Sequence, residues 1–127
     1  MDDVRRLQYE ALADGGNYAL RLVPAIREIL PELRGDEKDD TEDFKNQIFD
    51  GINYIVEILN GTLALINEKE VIINRDGVED IMQQLIKAVE SKDNNEVARV
   101  LEEGILPFIE IFYQIASVMV AKAKTEM

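Results

Sequence analysis

Apolar residues recur at helical spacing along most of the chain, and this pattern predicts four helices. The first is expected from about Val4 to Leu33 and the second from near Thr41. The apolar stripe of the third covers residues 78–89, and that of the fourth covers 97–119. Helices with one apolar face bury that face in a shared core. We therefore predict an all-α fold, an up-and-down four-helix bundle, in a single domain over residues 1–127.

Glycines and polar residues punctuate these helices. The pair Gly15 and Gly16 is expected to weaken or break the first helix near its middle, because paired glycines favour coil. Gly35 is a candidate for the C-terminal cap of the same helix. Asp40 or Thr41 is expected to cap the start of the second.

The connector before the third helix is the least helical part of the chain. Residues 71–73 are rich in β-branched side chains, which predicts an extended connector or a short strand. Asp76 and Glu79 then lie at the spacing of a capping box, and Asp93 and Glu96 repeat that spacing before the fourth helix.

Two segments of the chain resemble each other. Residues 51–59 align without gaps with residues 104–112, and Gly, Ile, Glu and Ile match. Duplication of a helical hairpin would explain these matches and make the second and fourth helices equivalent. Chance would explain them as well, since two amphipathic helices satisfy the same period. Both interpretations stay open here.

Composition excludes several classes of function. The chain has no His and no Cys, which removes the commonest general base, the disulfide framework and the thiolate metal site. Lys and Arg number 14 against 26 Asp and Glu, a formal charge of −12. This charge repels nucleic acid and anionic lipid, so neither is an expected partner. The absence of Cys and of an apolar signal region favours a cytoplasmic location.

Carboxylates are the groups left for chemistry, and their patterns fail the relevant motifs. Glu57 and Glu110 are matched by the alignment, but a di-iron bundle also requires Glu-x-x-His. The acidic run 36–43 lacks the Gly and Glu of a calcium-binding loop, since Thr41 and Gln47 stand at those places. Weak cation binding by this run stays an open alternative. We predict no catalytic residue, no metal ligand, no cofactor and no enzymatic activity.

The fourth helix is apolar almost all round. The run from Gly104 to Ala121 nearly reaches the length of a membrane span. Polar residues at 103, 110, 114 and 117 nevertheless form one stripe, so we expect a packed helix and not a span. Apolar residues outside the main stripe predict an interface with a protein partner or a second copy; simple burial is the alternative. The residues predicted for this interface are Ile105, Leu106, Ile109, Tyr113 and Val120.

These observations favour a non-enzymatic protein–protein interaction module. Small acidic helical bundles are typical of adaptors and chaperones, although fold alone does not establish function. The alternative is a small-ligand or metal-binding bundle with weak hydrolytic activity. A His-free metal site would need a buried cluster of at least three carboxylates, whereas an interaction module needs none.

Overall fold

The computed structural model describes residues 2–126, and the predicted all-α class is confirmed. The helices, in chain order, are α1 (Asp3–Leu33), α2 (Thr41–Ile66), α3 (Arg75–Glu90), α4 (Asn94–Val100) and α5 (Leu106–Glu126). A π-helical turn, Leu101–Ile105, joins α4 to α5 without a break. We call α4, the π turn and α5 together the fourth helix. Within residues 2–126 there is no strand, so residues 71–73 form an extended connector.

The predicted break of the first helix at its glycine pair is wrong, because α1 is continuous from Asp3 to Leu33. Gly15 lies where α1, α2 and α5 approach one another. A Cβ atom built on Gly15 would lie 3.0 Å from Ile58 Cδ1 and 3.1 Å from Phe112 Cζ. The missing side chain permits this close approach, and the resulting packing offsets the low helix propensity of glycine.

The connector between α1 and α2 is fixed by Thr41 and Gly35. Gly35 adopts φ of +126° just after α1, as the prediction of a C-terminal cap requires. Thr41 does not cap α2. Its hydroxyl donates to the buried carboxylate of Glu32 at 2.8 Å and accepts from the Lys38 backbone N–H at 2.8 Å. Thr41 therefore links the acidic connector to the end of α1.

The starts of the later helices differ in part from the predicted capping boxes. Asn74, not Asp76, caps α3, and its side chain accepts from the backbone N–H groups of Asp76 and Gly77. Asp93 caps α4 as predicted, accepting from the Asn95 N–H at 3.0 Å. The Glu96 carboxylate binds Arg99 and not the cap residue. The Asp93 prediction is confirmed, whereas the reciprocal Glu contacts are not made.

Neighbouring helices run antiparallel, as their ion pairs indicate. Arg5 at the start of α1 binds Glu68, just beyond the end of α2, through two hydrogen bonds of 2.9 and 3.1 Å. Arg34, just beyond the end of α1, binds Glu102 in the π turn. Helix α1 thus packs between α2 and α5, while α3 packs on α4 and the π turn. Among the described residues, α1, α2 and the fourth helix supply the largest fully buried side chains: Leu12, Ile26, Ile29, Ile52, Ile55, Leu59, Val97, Val100, Leu101, Ile105, Ile109 and Phe112.

The two segments that align in sequence occupy comparable places in their hairpins. Gly51 of α2 faces α1, where Tyr18 ring atoms lie 2.9 to 3.0 Å from the position of an added Cβ. Gly104 of the fourth helix faces α3, where Ile81 Cγ2 lies 3.3 Å from the corresponding position. Only the fourth helix contains a π turn within the part of the chain that the structure describes. Duplication stays a prediction.

The π turn changes which residues of the fourth helix face the core. The Leu106 N–H donates to the Leu101 carbonyl, one residue further back than in an α-helix. Pro107 follows directly; it has no N–H, and its ring would collide with the carbonyl one α-turn earlier. The wider turn holds one extra residue, and an α-helix turns about 100° per residue. Every side chain after the turn is therefore rotated by about that angle.

Candidate interaction surface

The residues predicted as a partner interface are placed differently by this rotation. Ile105 and Ile109 are fully buried and Leu106 is 8% exposed, all within one chain. Tyr113 and Val120 are half-buried against the same core. For Ile105, Leu106 and Ile109 the prediction of a partner-facing surface is wrong. The π turn brings these residues onto the same face of the helix as Val97 and Leu101, and this face lies in the core. The uninterrupted helical period assumed from the sequence places them outside that face.

The same rotation exposes other apolar residues of α5. Ile111 is 50% exposed and Val118 is 65% exposed. An unbroken α-helical period would place Val118 on the same face as Val100 and Leu101, in the core. Ile111 and Val118, about two helical turns apart, lie instead on one outward strip of α5.

The lengths of the helices explain why this strip is left largely exposed within residues 2–126. Helix α3 has 16 residues and is about 24 Å long, whereas the helix from Asn94 to Thr125 has 32 residues and is about 48 Å long. Gly77, in the first turn of α3, lines the same groove as Ile111. Beyond that level the connector 67–74 takes the place of α3, and its Val71 and Ile72 are themselves 74% and 50% exposed.

A groove of about 560 Å³ lies between α3 and the fourth helix and opens beside this strip. Gly104 of the π turn forms part of its wall, where the absence of a side chain lets Ile81 of α3 approach closely. The residues that give the groove its apolar lining are Ile72, Ile73, Val78, Ile81, Val100, Pro107, Phe108 and Ile111. We call this feature the α3–α5 groove and the adjoining exposed strip, Ile111 and Val118, the α5 strip.

Polar groups lie along one end of the groove, beside the π turn. Arg99 Nε lies 3.1 Å from both carboxylate oxygens of Glu96, and Arg99 Nη1 lies 3.1 Å from Glu103 Oε2. These hydrogen bonds raise the pKa of Arg99 and lower the pKa of Glu96. On the facing side of the groove Gln84 donates to Asp80 at 3.0 Å. The Arg99 cation is thus neutralised by its two partners, and this end of the groove is acidic.

A second groove, of about 430 Å³, lies between the start of α1 and the end of α2. Val4 and Leu7 border it with exposures of 68% and 59%. Gln8 crosses to α2 and donates to the Gly61 carbonyl at 3.3 Å. This groove is smaller, and its apolar border belongs to the first two turns of α1.

Carboxylates do not assemble into a metal site in the described residues. No group of three or more Asp and Glu side chains within 2–126 is close enough to hold an ion. Glu57 is exposed, and Glu110 binds Arg27 at 2.8 Å on the outside of the bundle. These two carboxylates, matched in the sequence alignment, are therefore not brought together. Weak cation binding by the acidic run 36–43 stays a prediction.

Comparison with known proteins gives one result. A family model described as a domain of unknown function (DUF8042) matches residues 10–115. The chain belongs to the DUF8042 family. The matched part contains the glycine pair of α1, all of α2 and α3, the π turn and the complete lining of the α3–α5 groove; Val118 follows it. No curated protein and no solved structure matches the chain.

The fourth helix of this DUF8042 protein is also long and apolar enough to cross a membrane, judged by length and composition only. One third of its most apolar window is buried in the bundle. The core positions Ile105, Ile109 and Phe112 account for part of that hydropathy, as in the central helix of a packed bundle. The exposed residues of the α5 strip account for a further part of the hydropathy of this helix.

Proposed function

We propose that this protein is a non-enzymatic interaction module that binds an apolar segment of another protein. The α3–α5 groove and the α5 strip are the binding surface. The observation that carries the proposal is the exposure of Ile72, Ile111 and Val118 around an open apolar groove. Apolar residues exposed beside an apolar groove are typical of interaction sites, whereas singly scattered apolar residues are not.

The size of the surface is compatible with specific but modest binding. Complete burial of an exposed Val or Ile contributes about 1.5–3 kcal/mol. Ile72, Ile111 and Val118 begin half to two-thirds exposed, so each would contribute about 1 kcal/mol or slightly more when covered. Association costs several kcal/mol of translational and rotational freedom. Contacts inside the groove must therefore supply the rest, as hot-spot residues do at protein interfaces.

A foreign partner is favoured over self-association on electrostatic grounds. Each copy carries a formal charge of −12, so two copies repel each other as they approach. This repulsion weakens the homodimer expected from the sequence, although screening by salt reduces it. We place the binding reaction in the cytoplasm, as the composition suggested.

Two isoleucines provide a matched test of the proposal. Ile111 is 50% exposed on the groove, and Ile86 is 45% exposed on α3 outside the groove lining. Wild-type, Ile111→Ser and Ile86→Ser proteins would be used as baits in native-host extracts, with bound proteins quantified by mass spectrometry. We expect a protein that is retained by the wild type and Ile86→Ser but lost with Ile111→Ser. Equal retention by all three baits would contradict the proposed surface.

A further inference from the structure

We propose that the occupant of the α3–α5 groove is a cationic amphipathic helix, with its basic residues above the π turn and its apolar residues along the α5 strip. This inference rests on the proposed function and specifies the chemical class of its partner. It follows from the shape of the surface, from the charge at one end of it, and from the charge of the whole chain.

The shape of the surface favours a helix. Two antiparallel helices form the walls, and a third helix fits such a groove by placing its apolar side chains at i, i+3, i+4 and i+7 between them. The axial distance from Gly104 to Val118 is about 21 Å, which a partner helix of about 14 residues would span. Residues 2–126 present no strand edge, so an added strand has no backbone to pair with.

The charge of the groove is asymmetric along its length. Near the π turn, Glu96, Glu103 and Asp80 outnumber Arg99, which is already bound to the two glutamates. At the other end Ile72 adjoins a region lined by both signs, with Arg5, Lys69 and Lys122 beside Glu68 and Glu70. Lys or Arg residues of a partner would therefore be stabilised at the π-turn end and not at the connector end.

The charge of the whole chain opposes other occupants of the same apolar surface. A second copy carries the same −12 and presents the same acidic groove, so its approach is unfavourable. An anionic membrane surface is repelled for the same reason. A cationic segment is attracted over a Debye length of about 10 Å at 0.1 M salt, which accelerates its association.

Synthetic peptides test the inference directly. Two labelled helical peptides of about 18 residues would share Leu at i, i+3, i+4, i+7 and i+11, with the remaining positions Lys-rich in one and Glu-rich in the other. Binding would be measured by fluorescence anisotropy at about 0.1 M and about 1 M salt, where the Debye length falls to about 3 Å. The proteins compared are wild type, Ile111→Ser, Ile86→Ser, Glu103→Gln and Glu79→Gln. Glu79, on the opposite side of α3 from the groove, is the control for loss of one charge.

We expect the Lys-rich peptide to bind at least about tenfold more tightly than the Glu-rich peptide, because like charges across an interface are strongly unfavourable. High salt should reduce that ratio. Glu103→Gln should weaken Lys-rich binding by about threefold, the usual effect of one exposed ion pair, and more than Glu79→Gln does. Ile111→Ser should weaken it more than Ile86→Ser does.

Four results would overturn the inference. Equal binding of both peptides, with loss in Ile111→Ser alone, would retain the docking surface but refute a cationic partner. Lys-rich binding that Ile111→Ser leaves unchanged would be nonspecific attraction to an acidic protein. Binding of neither peptide would refute both the partner class and the helical mode. Stronger binding to zwitterionic lipid vesicles than to the Lys-rich peptide would assign the surface to a membrane.

Discussion

Replacing Gly15 with Ala tests the three-helix contact that holds the bundle together. Gly15 lies in the middle of α1, so the substitution should improve helix propensity by about 0.5–1 kcal/mol in the absence of neighbours. The structure places neighbours at the position of the new methyl group: Ile58 Cδ1 at 3.0 Å, Ile58 Cγ2 at 3.2 Å and Phe112 Cζ at 3.1 Å. The gain in helix propensity and the steric clash of the new methyl group therefore have opposite effects on the free energy of unfolding.

The unfavourable effect should be larger. Ordinary contacts between carbon atoms lie near 3.5–4.0 Å, so both neighbours must move by several tenths of an ångström. Ile58 is half-buried and has room to adjust, but Phe112 is fully buried and close-packed. Overpacking of this kind costs about 1–3 kcal/mol. After subtraction of the propensity gain, we expect Gly15→Ala to lower the free energy of unfolding by about 1 kcal/mol.

Urea denaturation followed by far-UV circular dichroism measures this change, and Gly61→Ala is the matched control. Gly61 lies inside α2 and is exposed, and no described atom outside its own helix lies within 4 Å of its added Cβ. Gly61→Ala should therefore stabilise the protein by about 0.5–1 kcal/mol. The double variant Gly15→Ala with Ile58→Val removes the nearest methyl group and should recover part of the loss. If Gly15→Ala stabilises the protein as much as Gly61→Ala does, the close packing at Gly15 is refuted.

Two further predictions concern the register of the fourth helix and its ion pairs. Ile109→Glu buries a charge in the core and should unfold the domain at 25 °C, whereas Ile111→Glu should change the free energy of unfolding by at most about 1 kcal/mol. Thermal melting of the two variants compares these effects. Equal effects would refute the rotated register. Arg5 holds the pKa of Glu68 below its ordinary value of 4.5, mainly by hydrogen bonding. The ion pair therefore stabilises the fold above pH 4.5, and this contribution is lost as the pH falls through the lowered pKa. Carboxyl NMR titration should show Arg5→Gln raising the midpoint of Glu68 while leaving Glu96 low, and an unchanged Glu68 midpoint would contradict the pairing.

The helices and several of their ends could be predicted from local pattern. Apolar spacing identified four helical segments, and the caps at Gly35 and Asp93 follow from residue type and position alone. The continuity of α1 could not be predicted in this way. It depends on Ile58 and Phe112, which are distant in sequence and reach Gly15 only in the folded chain.

Three of the residues predicted for a partner interface, Ile105, Leu106 and Ile109, are buried in the core of the same chain. The apolar residues of the fourth helix form two stripes offset by about one residue. If the helix is assumed to be an unbroken α-helix, the second stripe lies outside the core face. The π turn joins them into one core face and turns Ile111 and Val118 outward. Pro107 was the signal, since a proline inside a helical pattern requires a local change in the hydrogen bonding of the preceding turn. The shortness of α3, which leaves the α5 strip exposed, is a second reason why these exposed residues could not be predicted from the sequence.

Photo-crosslinking from the α5 strip tests the central claim that this strip is a protein-binding surface. A benzoylphenylalanine would replace Val118, which is 65% exposed, or Ile86 as the control, in cells that express the protein at its natural level. We expect irradiation to give a discrete adduct with a different protein from position 118 and none from position 86. No adduct from position 118, the same adducts from both positions, or an adduct of twice the chain mass alone would contradict the account.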